Sequence, residues 1–262
     1  MIIDCHTHIG RNEHINSSVY DLLKSMDKSG VDKSLVFAGE MNDVTTSLML
    51  DEIKPYRDRF YGVASWDFDY YKTHRNMKPF EQEDYLCNLY KAGEIVAVKF
   101  YTGYYYFGPE QLSHILWRLN EIKCPAIFHM GDCLNSAKGA KLKYAQPLSI
   151  DDVAVDYPDM NFIIAHMGFP WHRDAAEVCY KNSNVYADIS GFVYGDFKGL
   201  DAIKFKKVLT EFMEITDAKK LLFGTDFPIS NQKSYVSTMD DMFGDIINCQ
   251  SLSLNVKKAF NL

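Results

Sequence analysis

Several features common in other proteins are missing from this chain, and each absence excludes a class of protein. No apolar stretch approaches the roughly 20 residues that a membrane-spanning helix requires, and no basic cluster offers a surface for a phosphate backbone. A net charge of −7 also argues against a nucleic-acid partner. The 6 cysteines are scattered without a C-x-x-C pair, which predicts reduced thiols and a cytoplasmic location. The first apolar run begins at residue 2, so we expect no signal peptide.

A regular series of short apolar runs is the main positive feature of the sequence. Amphipathic stretches with helical periodicity separate the runs, and further helical segments follow the last one. No G-x-G-x-x-G motif follows the first run, which argues against a dinucleotide-binding sheet. We predict strands in the run that begins at residue 2 and at 34–38, 60–64, 95–100, 125–129, 162–166, 185–189 and 221–226.

The alternation of strands and helices predicts the fold class. Strand and helix units repeated through 262 residues favour a single α/β domain in which a parallel sheet closes into a (β/α)₈ barrel. No linker rich in Gly, Pro or Ser and no change in composition interrupts the chain, so residues 1–262 are predicted to form one domain. We expect the segment after residue 227 to contain the eighth helix and a short terminal helix.

Two histidines at the end of the first predicted strand are the most informative local feature. Because side chains alternate along a strand, His6 and His8 should project to the same side as Asp4, with Cys5 and Thr7 on the opposite side. Two adjacent imidazoles at a strand end are well placed to bind one metal ion. The alternative is that they only make hydrogen bonds at the strand terminus.

Ionisable side chains also lie at the ends of other predicted strands, where the active sites of barrels are found. A charged group at the end of a buried strand is costly unless it is paired or bound to a metal ion. Each residue alone has a structural explanation, but together they predict a metal site. These residues are His6, His8, Lys99, His129, His166 and Asp226.

The motifs around these residues resemble the amidohydrolase superfamily, specifically its amidohydrolase-related (amidohydrolase-2) branch. The resemblance runs in chain order through nearly the whole sequence and implies a barrel without the flanking β-sandwich of other branches. The matching segments are Asp-Cys-His-Thr-His at 4–8, Ala-Val-Lys-Phe at 97–100, Phe-His-Met-Gly at 128–131, Ala-His-Met-Gly-Phe-Pro-Trp at 165–171 and Phe-Gly-Thr-Asp-Phe-Pro at 223–228.

The resemblance also implies roles for the residues of the site. His6, His8, His129 and Asp226 would bind a divalent metal ion, and imidazole and carboxylate ligands suit zinc best. Asp226 would orient a metal-activated water and take its proton. His166 would either bind a second ion or polarise the carbonyl oxygen of the substrate.

Lys99 has two alternative interpretations. In two-metal members of the superfamily, a lysine at the end of strand four is carboxylated and bridges the ions, with His129 and His166 available for the second metal. Otherwise Lys99 is an ammonium that neutralises carboxylates or binds a substrate anion. We favour one ion.

The expected activity is hydrolysis of a small amide, lactone or ester. The alternatives are decarboxylation of an aromatic carboxylic acid at the same site, a phosphoesterase with the same H-x-H start, and a metal-binding scaffold without activity. Aromatic residues at 66–71 and 101–107 would either face the substrate or pack the loops against the helices. The segment 132–147, with Lys138, Lys141 and Lys143, resembles a lid or an anion-attracting rim. We expect a small-molecule substrate, no nucleic-acid or membrane partner, and leave open a homo-oligomer.

Overall fold

Eight parallel strands form the centre of the molecule. The computed structural model describes residues 1–11, 15–38, 44–69, 80–133, 139–244 and 247–262. Each strand pairs with the next one along the chain, as a (β/α)₈ barrel requires. The strands are β1 (Ile3–His8), β2 (Lys33–Phe37), β3 (Phe60–Ser65), β4 (Ile95–Phe100), β5 (Ala126–Phe128), β6 (Phe162–Ile164), β7 (Val185–Asp188) and β8 (Leu221–Leu222).

Backbone hydrogen bonds between β1 and the segment after β8 connect the two ends of the sheet. The amide of Cys5 donates to the carbonyl of Phe223 at 2.8 Å, and the amide of His8 donates to the carbonyl of Phe227 at 2.7 Å. These bonds close the sheet into the predicted barrel. Within the described ranges, the only other sheet is the short ladder of Gly10–Arg11 with Asn16–Ser17, and no β-sandwich accompanies the barrel.

Helices follow the strands and cover the outside of the barrel. Ser18 caps the first of them, and Gly30 ends it with a left-handed φ of 72°. The helices are α1 (Val19–Ser29), α2 (Thr46–Ile53), α3 (Glu81–Lys91), α4 (Ser113–Glu121), α5 (Ser149–Asp156), α6 (His172–Lys181), α7 (Asp201–Ile215), α8 (Gln232–Phe243) and α9 (Cys249–Ala259), with a short helix at Thr102–Tyr105. None of the helices in these ranges has the length and apolar character needed to cross a bilayer.

The apolar core has two layers, one between the strands and the helices and one inside the barrel. Helix α9 closes the barrel at the end where the strands begin. The Oγ of Ser253 in this helix accepts a hydrogen bond from the amide of Ile3 in β1 at 2.8 Å. The opposite end, where the strands finish, is left for the polar residues. The inner layer contains Ile3, Cys5, Leu35, Phe37, Val63, Ala97, Ile127, Ile163, Tyr186, Leu222, Val256 and Phe260.

A bulge in β1 changes the predicted orientation of its side chains. The pairing register with β2 shifts between Asp4 and Thr7, which places an extra residue in β1. Cys5 belongs to the inner layer together with Ile3, two positions before it. His6 also faces inwards, and its ring stacks on Phe37 with centroids 4.3 Å apart. The prediction that Cys5 lies opposite His6 is therefore wrong, because strict alternation holds only for an unbroken ladder.

Candidate metal centre

The end of β1 brings two imidazoles next to a carboxylate that follows β8. The Nε2 atoms of His6 and His8 lie 3.7 Å and 3.2 Å from Oδ1 of Asp226, and all three side chains are buried. Two atoms that each lie about 2.1 Å from a tetrahedral zinc ion are about 3.4 Å apart. The three donor atoms therefore have the spacing of ligands to one divalent ion.

Asp226 reaches this position through a left-handed turn rather than through a strand. β8 ends at Leu222, and Asp226 has a φ of 68° while its amide donates to the carbonyl of His6 at 2.8 Å. The predicted strand at 221–226 is therefore too long. Burial alone would raise the pKa of Asp226, but the hydrogen bond to His8 and the nearby imidazoles outweigh it and hold the pKa below its ordinary range. The carboxylate stays ionised, as a metal ligand must.

Asp188, the last residue of β7, makes hydrogen-bond contacts with three residues of the site. Its Oδ2 lies 3.0 Å from Nδ1 of His6, and its Oδ1 accepts from the amides of His166 and Ser190 at 3.0 Å each and from the Ser190 hydroxyl. Burial opposes ionisation of Asp188, but the electrostatic attraction and hydrogen bond of His6, together with His166 and Lys99, lower its pKa. An ionised Asp188 holds the His6 proton on Nδ1 and leaves the Nε2 lone pair for a metal ion.

The sequence interpretation missed Asp188, although the signal for it was present. Asp188 is a carboxylate at the end of a buried strand, which is the same criterion that selected Lys99 and Asp226. Ser190 carries no comparable signal, because its importance depends on contacts with His166 and His6, which are 24 and 184 positions away in the chain.

His166 lies beside this cluster in a tight turn. The predicted strand at 162–166 is too long, because β6 ends at Ile164 and His166 has a φ of 58°. Its Nδ1 lies 2.9 Å from the Oγ of Ser190. Since the Ser190 hydroxyl donates to Asp188, its oxygen accepts the Nδ1 proton of His166. That tautomer leaves the His166 Nε2 available for a substrate or a proton.

His129 lies next to His166 but outside the three-ligand group. The two ring centroids are 4.8 Å apart, and Nε2 of His129 lies 3.0 Å from the carbonyl oxygen of Asp132. Because a carbonyl only accepts hydrogen bonds, this contact assigns the proton to Nε2 and the lone pair to Nδ1. Burial lowers the pKa of His129 well below its ordinary value, and the neighbouring His166 and Lys99 lower it further, so the ring is neutral.

Lys99, near the end of β4, is fully buried. Its Nζ lies 5.3 Å from the ring centroid of Phe37 and 5.4 Å from that of Tyr101, and the described residues provide no hydrogen-bond acceptor for it. Burial lowers the pKa of Lys99 to about 8, against the opposing attraction of Asp188 and Asp226. The structure thus brings Lys99 to the site without making it part of the three-ligand group.

Aromatic side chains from two loops form one side of the barrel mouth. Phe68 stacks on Tyr105 with centroids 4.8 Å apart and lies 5.2 Å from the ring of Phe107. At the rim, Lys141 and Lys143 lie over tyrosine rings at 4.2 Å and 4.5 Å. The predicted contributions of Tyr70, Tyr71 and Lys138 lie outside the described residues.

Solved structures with the same fold bind metals and small organic molecules. An amidohydrolase from Burkholderia multivorans with bound zinc matches with a TM-score of 0.71 at 10% identity, covering 100% of this chain and 99% of that chain. A probable 2-pyrone-4,6-dicarboxylic acid hydrolase from Acinetobacter baumannii with bound citric acid matches with a TM-score of 0.69 at 17% identity, covering 100% and 99%. A dihydroxybenzoic acid decarboxylase from Polaromonas sp. JS666 with bound manganese and the inhibitor 2-nitroresorcinol matches with a TM-score of 0.68 at 14% identity, covering 100% and 97%.

A family model gives the assignment that these structural likenesses alone do not. No curated protein sequence matches the chain. The Amidohydro_2 family model, described as amidohydrolase, matches residues 3–259. The match extends over nearly the whole barrel and includes every residue of the site, which confirms the resemblance found in the sequence motifs. The chain therefore belongs to the amidohydrolase family.

Proposed function

We propose that this protein is a metal-dependent hydrolase that uses water to cleave a small amide, lactone or ester. The observation that carries the proposal is the convergence of Nε2 of His6, Nε2 of His8 and Oδ1 of Asp226 at the spacing of metal ligands. Asp188 supports it, because it holds the proton of His6 on the side away from these atoms. The proposed substrate is a small molecule, and a cytoplasmic location remains a prediction.

We assign His6, His8 and Asp226 as ligands of a single divalent ion and His129 as the ligand that completes the set. The mixture of imidazole and carboxylate donors suits zinc, and manganese is the second choice. When bound, such an ion supplies Lewis acidity and lowers the pKa of a ligand water from about 15.7 towards about 7. A single ion leaves no second ion to bridge, so this assignment does not require Lys99 to be carboxylated.

Two side chains would manage the protons of the reaction. Oδ1 of Asp226 faces the two imidazoles, so we assign Oδ2 as the atom that orients the attacking water and takes its proton. His166 keeps its proton on Nδ1 through Ser190, so its Nε2 is the atom that would approach the substrate. Its position beside His6, with ring centroids 4.8 Å apart, supports a role next to the reacting group.

Decarboxylation of an aromatic carboxylic acid is the second candidate function. The stacked rings of Phe68, Tyr105 and Phe107 at the barrel mouth favour it, because they offer a flat apolar surface to a planar substrate. The two functions share the proposed ligands and differ in the bond that is broken.

An assay on metal-free and reloaded protein tests the proposal. We expect chelation to abolish turnover and zinc or manganese to restore it, with lactones, esters and amides monitored by acid release and aromatic acids monitored by bicarbonate release.

Asp226→Asn should keep the fold and lower the turnover rate by about 10²- to 10⁴-fold, because the amide cannot take the proton. The exposed Asp159→Asn is the matched control and should retain full activity. Full activity in Asp226→Asn would remove that residue as the base.

A further inference from the structure

Lys99 carries a buried charge that the barrel itself leaves without a partner. Its side chain is 0% exposed, and its Nζ has no hydrogen-bond acceptor among the described residues. A buried ammonium with unmade hydrogen bonds carries a desolvation cost comparable to that of breaking a buried ion pair. A cost of this size at the centre of a site indicates that the missing acceptor comes from a ligand.

The ammonium lies in the same layer as the proposed metal ligands. Both are close to the ring of Phe37, since His6 stacks on it with centroids 4.3 Å apart and Nζ of Lys99 lies 5.3 Å from its centroid. On the other side, the ring of Tyr101 is 5.4 Å from Nζ and 6.0 Å from the ring of His129. Lys99 therefore shares one aromatic neighbour with His6 and another with His129.

The carboxylates of the site do not neutralise Lys99 by direct contact. Oδ2 of Asp188 lies 3.0 Å from His6, and its Oδ1 accepts from the amides of His166 and Ser190. Oδ1 of Asp226 faces the imidazoles of β1. Both carboxylates therefore contact other groups, and neither forms a hydrogen bond with Nζ of Lys99.

We propose that Lys99 binds a carboxylate group of the substrate, so that the substrate is a small organic acid. The inference rests on the proposed function for the reaction and adds the chemical class of the compound. A hydrogen bond between ammonium and carboxylate is charge-assisted, and burial strengthens it relative to the same bond in water. The ligand approaches beside His129 and His166, whose rings are partly exposed.

Two further lysines, Lys141 and Lys143, lie in the segment that follows β5. Nζ of Lys141 lies 4.2 Å from the ring centroid of Tyr106, and Nζ of Lys143 lies 4.5 Å from that of Tyr144. The hydroxyl of Thr102 donates to the carbonyl of Tyr144 at 2.7 Å, which fastens this segment to the loop that follows β4. These two lysines add positive charge near the loop that follows β4, although the chain as a whole carries a net charge of −7.

Equilibrium binding of benzoate and its neutral isostere benzamide tests the proposal by calorimetry. We expect the metal-free and the zinc-loaded protein to prefer benzoate, and Lys99→Met to weaken benzoate binding by about 10- to 100-fold while leaving benzamide binding unchanged. Lys141→Met removes a rim lysine and should weaken benzoate binding by less than about threefold, as expected for an exposed charge. Equal binding of the two compounds, or unchanged benzoate binding in Lys99→Met, would overturn the proposal.

Two further measurements do not depend on the folding of a variant. Crystals soaked with bromobenzoate should show the carboxylate within hydrogen-bond distance of Nζ of Lys99, and a carboxylate bound elsewhere would contradict the proposal. A carbamate signal after incubation with isotope-labelled bicarbonate would also overturn it, because a carboxylated lysine is an anion.

Protein that binds benzoate through Lys99 but binds no metal would contradict the proposed function alone. Protein that binds metal and turns over neutral esters, with no preference for acids, would contradict this inference alone.

Discussion

At the scale of single residues, the site depends on groups that hold the reacting side chains in place. Asp188 and Ser190 fix the protons of His6 and His166 on their Nδ1 atoms. Gly191 follows Ser190 in the chain, and its missing side chain leaves room for the side chains of His166 and Asp226. A Cβ atom at Gly191 would lie 2.6 Å from Nδ1 of His166 and 3.1 Å from Oδ2 of Asp226.

The substitution Gly191→Ala tests whether this space matters. Gly191 has a φ of 71° and Gly195 a φ of 70°, so alanine at either position bears the same backbone strain of about 1 kcal/mol. Only Gly191→Ala also displaces His166, because nothing lies within 4 Å of a Cβ at Gly195. We expect turnover to fall at least about tenfold in Gly191→Ala, as for a misplaced catalytic group, and to stay near wild type in Gly195→Ala. Equal losses in the two variants would mean that strain alone is responsible.

At the scale of elements, strand centres follow the sequence pattern and strand ends depart from it. β4 spans Ile95–Phe100, as predicted, because its apolar run is continuous. β6 and β8 are shorter than predicted, since His166 and Asp226 adopt left-handed backbone conformations. Alternation cannot predict such turns, because they are stabilised by distant partners such as the carbonyl of His6. The predicted polar residues do lie near the ends of these strands, whereas the predicted orientation of Cys5 relative to His6 was wrong.

Helix α9 provides a test of how the barrel is closed at its lower end. Phe260 follows α9 and packs in the inner layer of the barrel at 2% exposure, while Leu254 on the same helix is 66% exposed. Phe260→Ala should lower the free energy of unfolding by about 3–5 kcal/mol, and Leu254→Ala should change it by less than about 0.5 kcal/mol. Chemical denaturation measures both. A small effect of Phe260→Ala would show that α9 contributes little to the core.

At the scale of the whole molecule, the barrel explains why residues distant in the chain form one site. Parallel strands finish at the same end of the sheet, so side chains at the ends of β1, β7 and β8 meet there. This rule allowed the sequence to predict the convergence of His6, His8 and Asp226. It did not predict that Asp188 lies beneath them or that Nε2 of His129 contacts a backbone carbonyl, because both depend on side-chain packing inside the barrel.

The most direct test of the account is the metal content of protein purified without chelator, measured by plasma mass spectrometry on the wild type and on His6→Ala. The account predicts about one divalent ion per wild-type chain, and little or none in His6→Ala after dialysis, because that variant lacks one of the proposed ligands. Far-ultraviolet circular dichroism on both proteins confirms that the barrel remains folded. A folded wild-type protein without metal, or the same metal content in His6→Ala, would contradict the account.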